Sequence, residues 1–408
     1  MRKTIFGYLG AAAVALALQF TTADVQAGLF SICNPCDEVC SPCDDACDVT
    51  CGTSTGKWFV NGHLEAGFYA NEYGQTCGAW HGNSPLLLNT MHTGAQGNQL
   101  YIAGGKKVDG RKGLDVGGTV SATWGSDAWI VQTRGLEVTA KDPHGWGSRD
   151  YYGAIDQAYM EAEYGRWNVK AGKIHAPFGS SRYTATDNFF YSWASTAAIA
   201  PHVAGGAYAT YKVNNQLSVM SGWITPGEIG YGTKYNGGLG GVNWQATSKL
   251  NVFYVFTYAE NKYGAPTEEF YHTLLTTYQY SKRLKFVFEW TFVNIKGYAG
   301  GGHGIRPDQD EDGGGKIAAG YGINNEVIYC LNKNWSLGGR FGLLSDNGFA
   351  TGSEWYTVAL GANWTPNKWL TVKPELRYDW TTNPGISAFN GGRSKDQFAG
   401  GMSAVVKF

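Results

Sequence analysis

Five titratable residues share one long stretch of this 408-residue chain: Lys173, His175, Arg182, Asp187 and His202. Aromatic side chains (Phe189, Phe190, Tyr191 and Trp193) lie among them and read as packing that holds the stretch in place. Charges of both signs on one segment do no bond chemistry by themselves. At the narrowest point of a wet passage they would sort solutes by charge and size. Arg182 and Asp187 are the pair expected closest to such a constriction, and the other three are candidates beside them.

Residues for covalent chemistry do not assemble into a pattern. The eight histidines scatter with no regular spacing to a serine. There is no G-x-S-x-G elbow and no G-x-x-x-x-G-K-[ST] loop, so neither a nucleophile system nor a phosphate cradle is expected. Asp308 to Gly313 (DQDEDG) has the first half of a calcium loop, but Ala319 stands where a bidentate Glu should close it. The chain is expected to be no enzyme and to need no cofactor or metal. A formal charge of −1 argues against a nucleic-acid partner.

Six cysteines at 33, 36, 40, 43, 47 and 51 crowd an acidic segment, residues 28–56. In an exported chain Cys33, Cys36, Cys40, Cys43, Cys47 and Cys51 are disulfide candidates, within the chain or to neighbours, with thiolate metal binding and a lipid anchor as weaker alternatives. Export is indicated by residues 1–27. Arg2 and Lys3 precede an apolar run from Ile5 to Leu18, and Val25-Gln26-Ala27 offers small residues for cleavage. No later apolar run reaches the ~20 residues of a spanning helix.

The elements that must position these residues have period two. In Leu284 to Asn294 the apolar Phe286, Phe288, Trp290 and Phe292 face one way, and Lys285 and Glu289 the other. In Leu370 to Trp380, Lys373, Glu375, Arg377 and Asp379 share one face, while the opposite face ends in Tyr378 and Trp380. A soluble sandwich would not usually line up four charges this way. A membrane barrel puts the apolar face to lipid, the polar face to a wet lumen, and aromatics at the interfaces. The same parity makes Glu161, Glu163, Lys170 and Arg340 further wall residues.

Sixteen such runs fall between residues 57 and 408. Seven short connections alternate with eight long ones, at 72–97, 125–153, 175–203, 225–236, 260–268, 297–317, 345–354 and 381–396. The alternation predicts an all-β fold: a transmembrane antiparallel up-and-down β-barrel of sixteen strands over residues 57–408, with short periplasmic turns and long external loops. A hairpin hidden in 125–153 would raise the count to eighteen. The stretch 175–203 becomes the third external loop, expected to fold inward. The last run, GGMSAVVKF, alternates to a terminal Phe408, which resembles a barrel-assembly signal.

Particular residues then suggest a family. Leu114 to Trp129 (LDVGGTVSATWGSDAW) resembles a D-x-G-rich strand followed by a G-[ST]-D-A turn. Gly172-Lys173, Asn188, Tyr191-Ser192, Pro201 and Tyr208 to Tyr211 continue the pattern. Together they resemble the OmpL-like putative β-barrel porins over about residues 60–260. Residues 264–396 are similar only as barrel strands, and the cysteine-rich segment lies outside the pattern. The resemblance implies a channel in the bacterial outer membrane, with no catalytic residues and no defined substrate. Passive diffusion of small hydrophilic solutes and ions is the function expected. Lipid surrounds the barrel, and a homotrimer is expected by analogy with other sixteen-stranded porins. The alternative is a structural envelope protein whose barrel anchors the cysteine-rich segment. Conductance through the barrel separates the two.

Overall fold

The computed structural model describes residues 58–74, 93–139, 142, 145–148, 150–226, 235–261, 267–298, 316–347, 353–383, 387, 389–390 and 392–408. Residues 1–27, expected to be a signal peptide, the six clustered cysteines, Cys77, His81, His92, His144, His303 and the acidic run Asp308 to Gly313 lie outside the described residues.

Alternating sequence becomes strand because each step turns the side chain to the other face, so one face meets lipid and the other the interior. Sixteen wall strands form. The first eight are β1 Trp58–Asn71, β2 Gly94–Lys106, β3 Asp115–Gly125, β4 Tyr151–Tyr164, β5 Trp167–His175, β6 Val203–Lys212, β7 Leu217–Pro226 and β8 Tyr235–Gln245. The second eight are β9 Leu250–Asn261, β10 Thr267–Ser281, β11 Leu284–Tyr298, β12 Lys316–Asn332, β13 Trp335–Asn347, β14 Ser353–Asn367, β15 Leu370–Thr381 and β16 Asp396–Lys407.

Each strand pairs antiparallel with the next, and β1 closes on β16 with Leu64 opposite Val406. The Gly62 and Phe408 backbones exchange both hydrogen bonds, at 2.9 and 3.0 Å, so the terminal residue completes the seam. Closure leaves no sheet edge, which the hydrocarbon layer would not tolerate. Both ends of the described chain lie at the rim that carries the short turns.

The stretch between β3 and β4 adds no wall strand. Among its described residues it holds one 3-10 turn, Ala128–Val131, and the two-residue strand Gly147–Ser148, which pairs with Tyr151 and Tyr152. The count is therefore sixteen, and the long loop after β5 is the third.

Parity holds around the wall. Leu376 is 55% exposed to the lipid side, while its neighbours Glu375 and Arg377 are buried inside. Among the described residues, register shifts occur in six strand pairs, and two of them matter for the interior. Opposite Glu65 and Ala66 of β1, strand β2 carries one extra residue, so Asn98 and Gln99 are both buried. A second irregularity, where Ser121 and Thr123 meet β4, buries Asp156 and Gln157 side by side. Beside the first bulge, Gly125 has φ 155°, and a Cβ there would lie 1.9 Å from the Asn98 carbonyl oxygen. Glycine alone permits that approach.

The parity is directly testable. Leu376→Arg places a cation in lipid near the middle of β15 and is expected to destabilise the barrel by about 2–4 kcal/mol. Reversible urea unfolding in lipid vesicles measures it; an effect below ~0.5 kcal/mol would mean Leu376 does not face lipid.

Candidate functional site

The chain between β5 and β6, residues 176–202, lies inside the barrel. A backbone segment there must find partners for its N–H and C=O groups away from bulk water. The loop helps itself little, with two single turns of 3-10 helix at Ala185–Asp187 and Ser195–Ala198. Much of the remaining demand is met by inward wall side chains.

Strand β15 carries the main knot. Glu375 accepts the Ser192 backbone N–H at 3.0 Å, the Ser192 hydroxyl, and the Tyr69 hydroxyl at 3.2 Å. Arg377 donates to Ser192 Oγ at 3.1 Å and to the Trp193 carbonyl at 3.2 Å, with its Nε on Asp379 at 2.8 Å. Lys373 donates to the carbonyls of Ala185 and Asn188, at 2.6 and 2.5 Å. From β13, Arg340 donates to the Ser192 carbonyl at 2.7 Å, pairs with Glu326 at 2.9 Å and sits 4.1 Å over the Phe190 ring. From β11, Glu289 accepts the Ser180 N–H at 2.8 Å and the Ser180 hydroxyl.

The other side of the loop is held by β2 and β3. Gln99 bridges the Tyr183 carbonyl at 2.7 Å and the Ala185 N–H at 3.0 Å. Tyr191 donates to Asn98 at 2.9 Å, and Tyr183 to Thr123 at 2.8 Å. Glycines on the inner wall clear room for the aromatic knobs. A Cβ on Gly338 would lie 2.2 Å from the Phe189 ring, and one on Gly67 would lie 2.4 Å from the Tyr191 hydroxyl.

The five loop candidates separate into two groups. Lys173 is buried under the β3–β4 loop, 2.8 Å from Glu137 and 2.9 Å from the Val131 carbonyl. His175 meets Asp156 at 2.9 Å. His202 meets the Ala197 carbonyl at 3.0 Å and stacks on Trp193 at 5.3 Å. These three hold structure. Arg182 and Asp187 flank a turn closed by Asn188, which accepts the Arg182 N–H at 2.8 Å and donates to the Arg182 carbonyl at 2.7 Å. The Asp187 side is exposed and Arg182 is half-buried, between Asp187 and Glu289.

The ten wall candidates separate likewise. Glu289, Arg340, Lys373, Glu375 and Arg377 are buried and hold the loop, and Asp379 is buried as the carboxylate behind Arg377. These six line the inner wall, and their charged groups are matched to the loop or to one another. Glu161 lies 3.6 Å from Lys170, which covers the Tyr159 ring at 5.1 Å. Glu163 lies 3.6 Å from Lys212. Lys285 is half-buried.

Sequence reasoning missed Asn98, Gln99, Asp127, Glu137 and Asp156. Asp127 accepts from Asn98 at 2.9 Å and Gln99 at 3.1 Å, fixing the bulge that grips the loop. Glu137 accepts from Lys173, from the Ile155 N–H at 2.9 Å and from Thr133 at 2.8 Å. Among the described residues no group of His, Cys, Asp and Glu converges to hold a metal ion.

A family model described as "Putative beta-barrel porin-2, OmpL-like" matches residues 58–408. This chain belongs to that family. The match runs through β16, well beyond the stretch where sequence motifs are recognisable. The OmpL-like barrel is similar to an anion-selective porin from Comamonas acidovorans, with TM-score 0.58, 10% identity, and coverage of 86% of this chain and 100% of that one. The outer membrane channel DcaP of Acinetobacter baumannii gives TM-score 0.56 at 10% identity, over 87% and 98% of the two chains. OmpT of Vibrio cholerae gives 0.53 at 12% identity, over 87% and 100%. At such identities the likeness shows the fold. No curated protein gives a significant match to the sequence. Family and fold together place the chain in the bacterial outer membrane.

Two outcomes test the pinned loop. Glu375→Ala leaves the Ser192 N–H and hydroxyl and the Tyr69 hydroxyl without their acceptor, and breaking a buried charged cluster costs about 3–5 kcal/mol. The loop should loosen, seen as faster proteolysis within residues 176–202 with the barrel still resistant to heat in detergent.

The second concerns pH. Burial pushes the His202 imidazole down to about 4; the Ala197 carbonyl opposes the shift and His175 adds to it. A released loop would carry a histidine near 6.5. Between those values the released loop takes up a proton that the docked loop refuses. Docking is therefore strongest above pH 6.5 and weakens as pH falls toward 4. Cleavage of the loop by an acid-active protease should rise from pH 6.5 to 4.5, and His202→Gln should flatten the profile.

Proposed function

We propose that this OmpL-like barrel is a porin: a passive channel for small hydrophilic solutes and ions, narrowed by residues 176–202. The observation that carries the reading is the pinned loop. A wall of sixteen strands encloses a wide lumen, and here one segment crosses it under hydrogen bonds from strands on opposite sides. A segment held so firmly sets a fixed bore. The loop leaves the Asp187 carboxylate toward water with Arg182 half-buried beside it, and the wall adds half-buried Lys285 and the pairs Glu161–Lys170 and Glu163–Lys212. Selection then rests on size first, and on a small number of charges of both signs second. The chemistry needed is positioning alone, and no step of bond making enters.

The solved OmpT of Vibrio cholerae is described as a trimer form. A homotrimer in lipid is part of the reading, and native mass measurement in detergent tests it.

The decisive experiment is conductance in a planar bilayer with a salt gradient. The protein is expected to give discrete, ion-permeable steps. Asp187→Ala removes the exposed carboxylate and should move the reversal potential toward anions. Arg182→Ala should move it toward cations. A reconstituted, correctly folded barrel that gives no conductance at any voltage would overturn the porin reading. It would favour an envelope protein whose barrel serves as an anchor.

A further inference from the structure

The short-turn rim of the barrel is strongly basic. Its seven connections carry nine Lys or Arg residues and one acidic residue, Asp109. The strand ends add Lys106, Lys212 and Lys407 on the basic side, and Asp115 and Glu163 on the acidic side. Those acids are already partnered: Asp109 lies 2.8 Å from Arg111, Asp115 meets Lys106, and Glu163 lies 3.6 Å from Lys212. Lys249, Lys282, Arg283, Lys333 and Lys368 stand exposed at the turn tips. Among the described residues no acidic side chain pairs with any of them. A ring of like charge around a mouth repels itself and raises the local potential, so an anion of matching size lowers its energy.

The sequence supplies such an anion at the right place. Residues 28–56 contain Asp37, Glu38, Asp44, Asp45 and Asp48 and no Lys, Arg or His. The described chain begins at Trp58, which pairs with Lys106 at this same rim. We infer that the acidic cysteine-rich segment, residues 28–56, docks against the basic short-turn rim of its own barrel.

Reach and tethering both favour it. Asp48 precedes Trp58 by ten residues, a span of up to about 35 Å when extended. Sixteen strands about 4.8 Å apart and tilted ~40° close into a cylinder roughly 30 Å across. The acidic cluster therefore reaches every turn around the mouth. A tether of this length holds the cluster at an effective concentration on the order of millimolar. Five carboxylates facing at least as many ammonium and guanidinium groups give a multivalent contact, favoured at low salt and screened at high salt. The segment then lies where solute leaves the barrel, and it lowers the positive potential there.

The test is zero-length cross-linking of the full chain in phosphatidylcholine vesicles. A carbodiimide joins a carboxylate to a lysine amine only when they touch. Light and isotopically heavy chains are mixed so that links within one molecule and between molecules differ in mass. The expected result is intramolecular amide links from residues 37–48 to Lys249, Lys282, Lys333 or Lys368. Their yield should fall at least tenfold between 0.05 and 1 M NaCl, where the screening length drops to about 3 Å. They should vanish in a variant with all five acids changed to amides, whose folding is checked by heat-modified gel mobility. The Lys106–Asp115 pair is the internal control. If that control links and residues 37–48 do not, the inference fails and the rim is left to lipid headgroups. Links found only between light and heavy chains also overturn it, in favour of a contact between copies.

Discussion

The Glu375 carboxylate and the Arg377 guanidinium, inward neighbours on β15, both bond Ser192, and the arrangement of the lumen depends on that knot. Inside a barrel a crossing segment trades water for wall, and each backbone group must recover a partner or carry a desolvation cost of roughly 1–3 kcal/mol. Here the recovery comes from side chains aimed inward by strand parity. The Glu375 carboxylate takes two donors from Ser192, and the Arg377 guanidinium gives to one acceptor on Ser192 and one on Trp193. Charged partners make stronger hydrogen bonds than neutral ones, so a few residues fix a long loop. Arg340 adds the Ser192 carbonyl to the same knot, and Lys373 and Glu289 repeat the device at Ala185, Asn188 and Ser180. The charge content of the inner wall is thus largely architectural, and the charges open to solute are few.

Much of the wall was legible in the sequence. Phe286 through Phe292 and Lys373 through Asp379 announce their faces because a strand has period two and the two solvents differ so sharply. The alternation of short and long connections fixed the strand count and placed the third loop. The stretch 125–153 admits a hairpin on sequence grounds because its apolar and polar residues alternate briefly. They do so because that stretch packs Ala128 and Val131 against the inner wall rather than because it crosses the membrane.

The candidate site was legible in part. The sequence picks out charged residues and cannot tell which will be matched. Lys173 and Arg182 look alike as letters, yet one meets Glu137 across 36 positions while the other lies half-buried in the loop between Asp187 and Glu289. Parity fails at a bulge, and bulges leave little trace in a single sequence. Asn98 and Gln99 sit next to each other, and a strict alternation would turn one of them to lipid. Asp156 and Gln157 pose the same difficulty. Gly125, placed where only glycine fits, was a faint trace of the first bulge.

The glycine sockets on the wall impose an order of events on assembly. Phe189 fits over Gly338 of β13, and Tyr191 fits against Gly67 of β1, strands from opposite ends of the chain. These sites face one another only after β1 has met β16. The complete seat for the loop therefore exists only in the closed cylinder, and the final docking step reports that closure has occurred. A barrel caught half-built would hold its third loop by one side alone, with aromatic rings still uncovered. Folding machinery or a protease could distinguish it from the finished protein by that exposed surface.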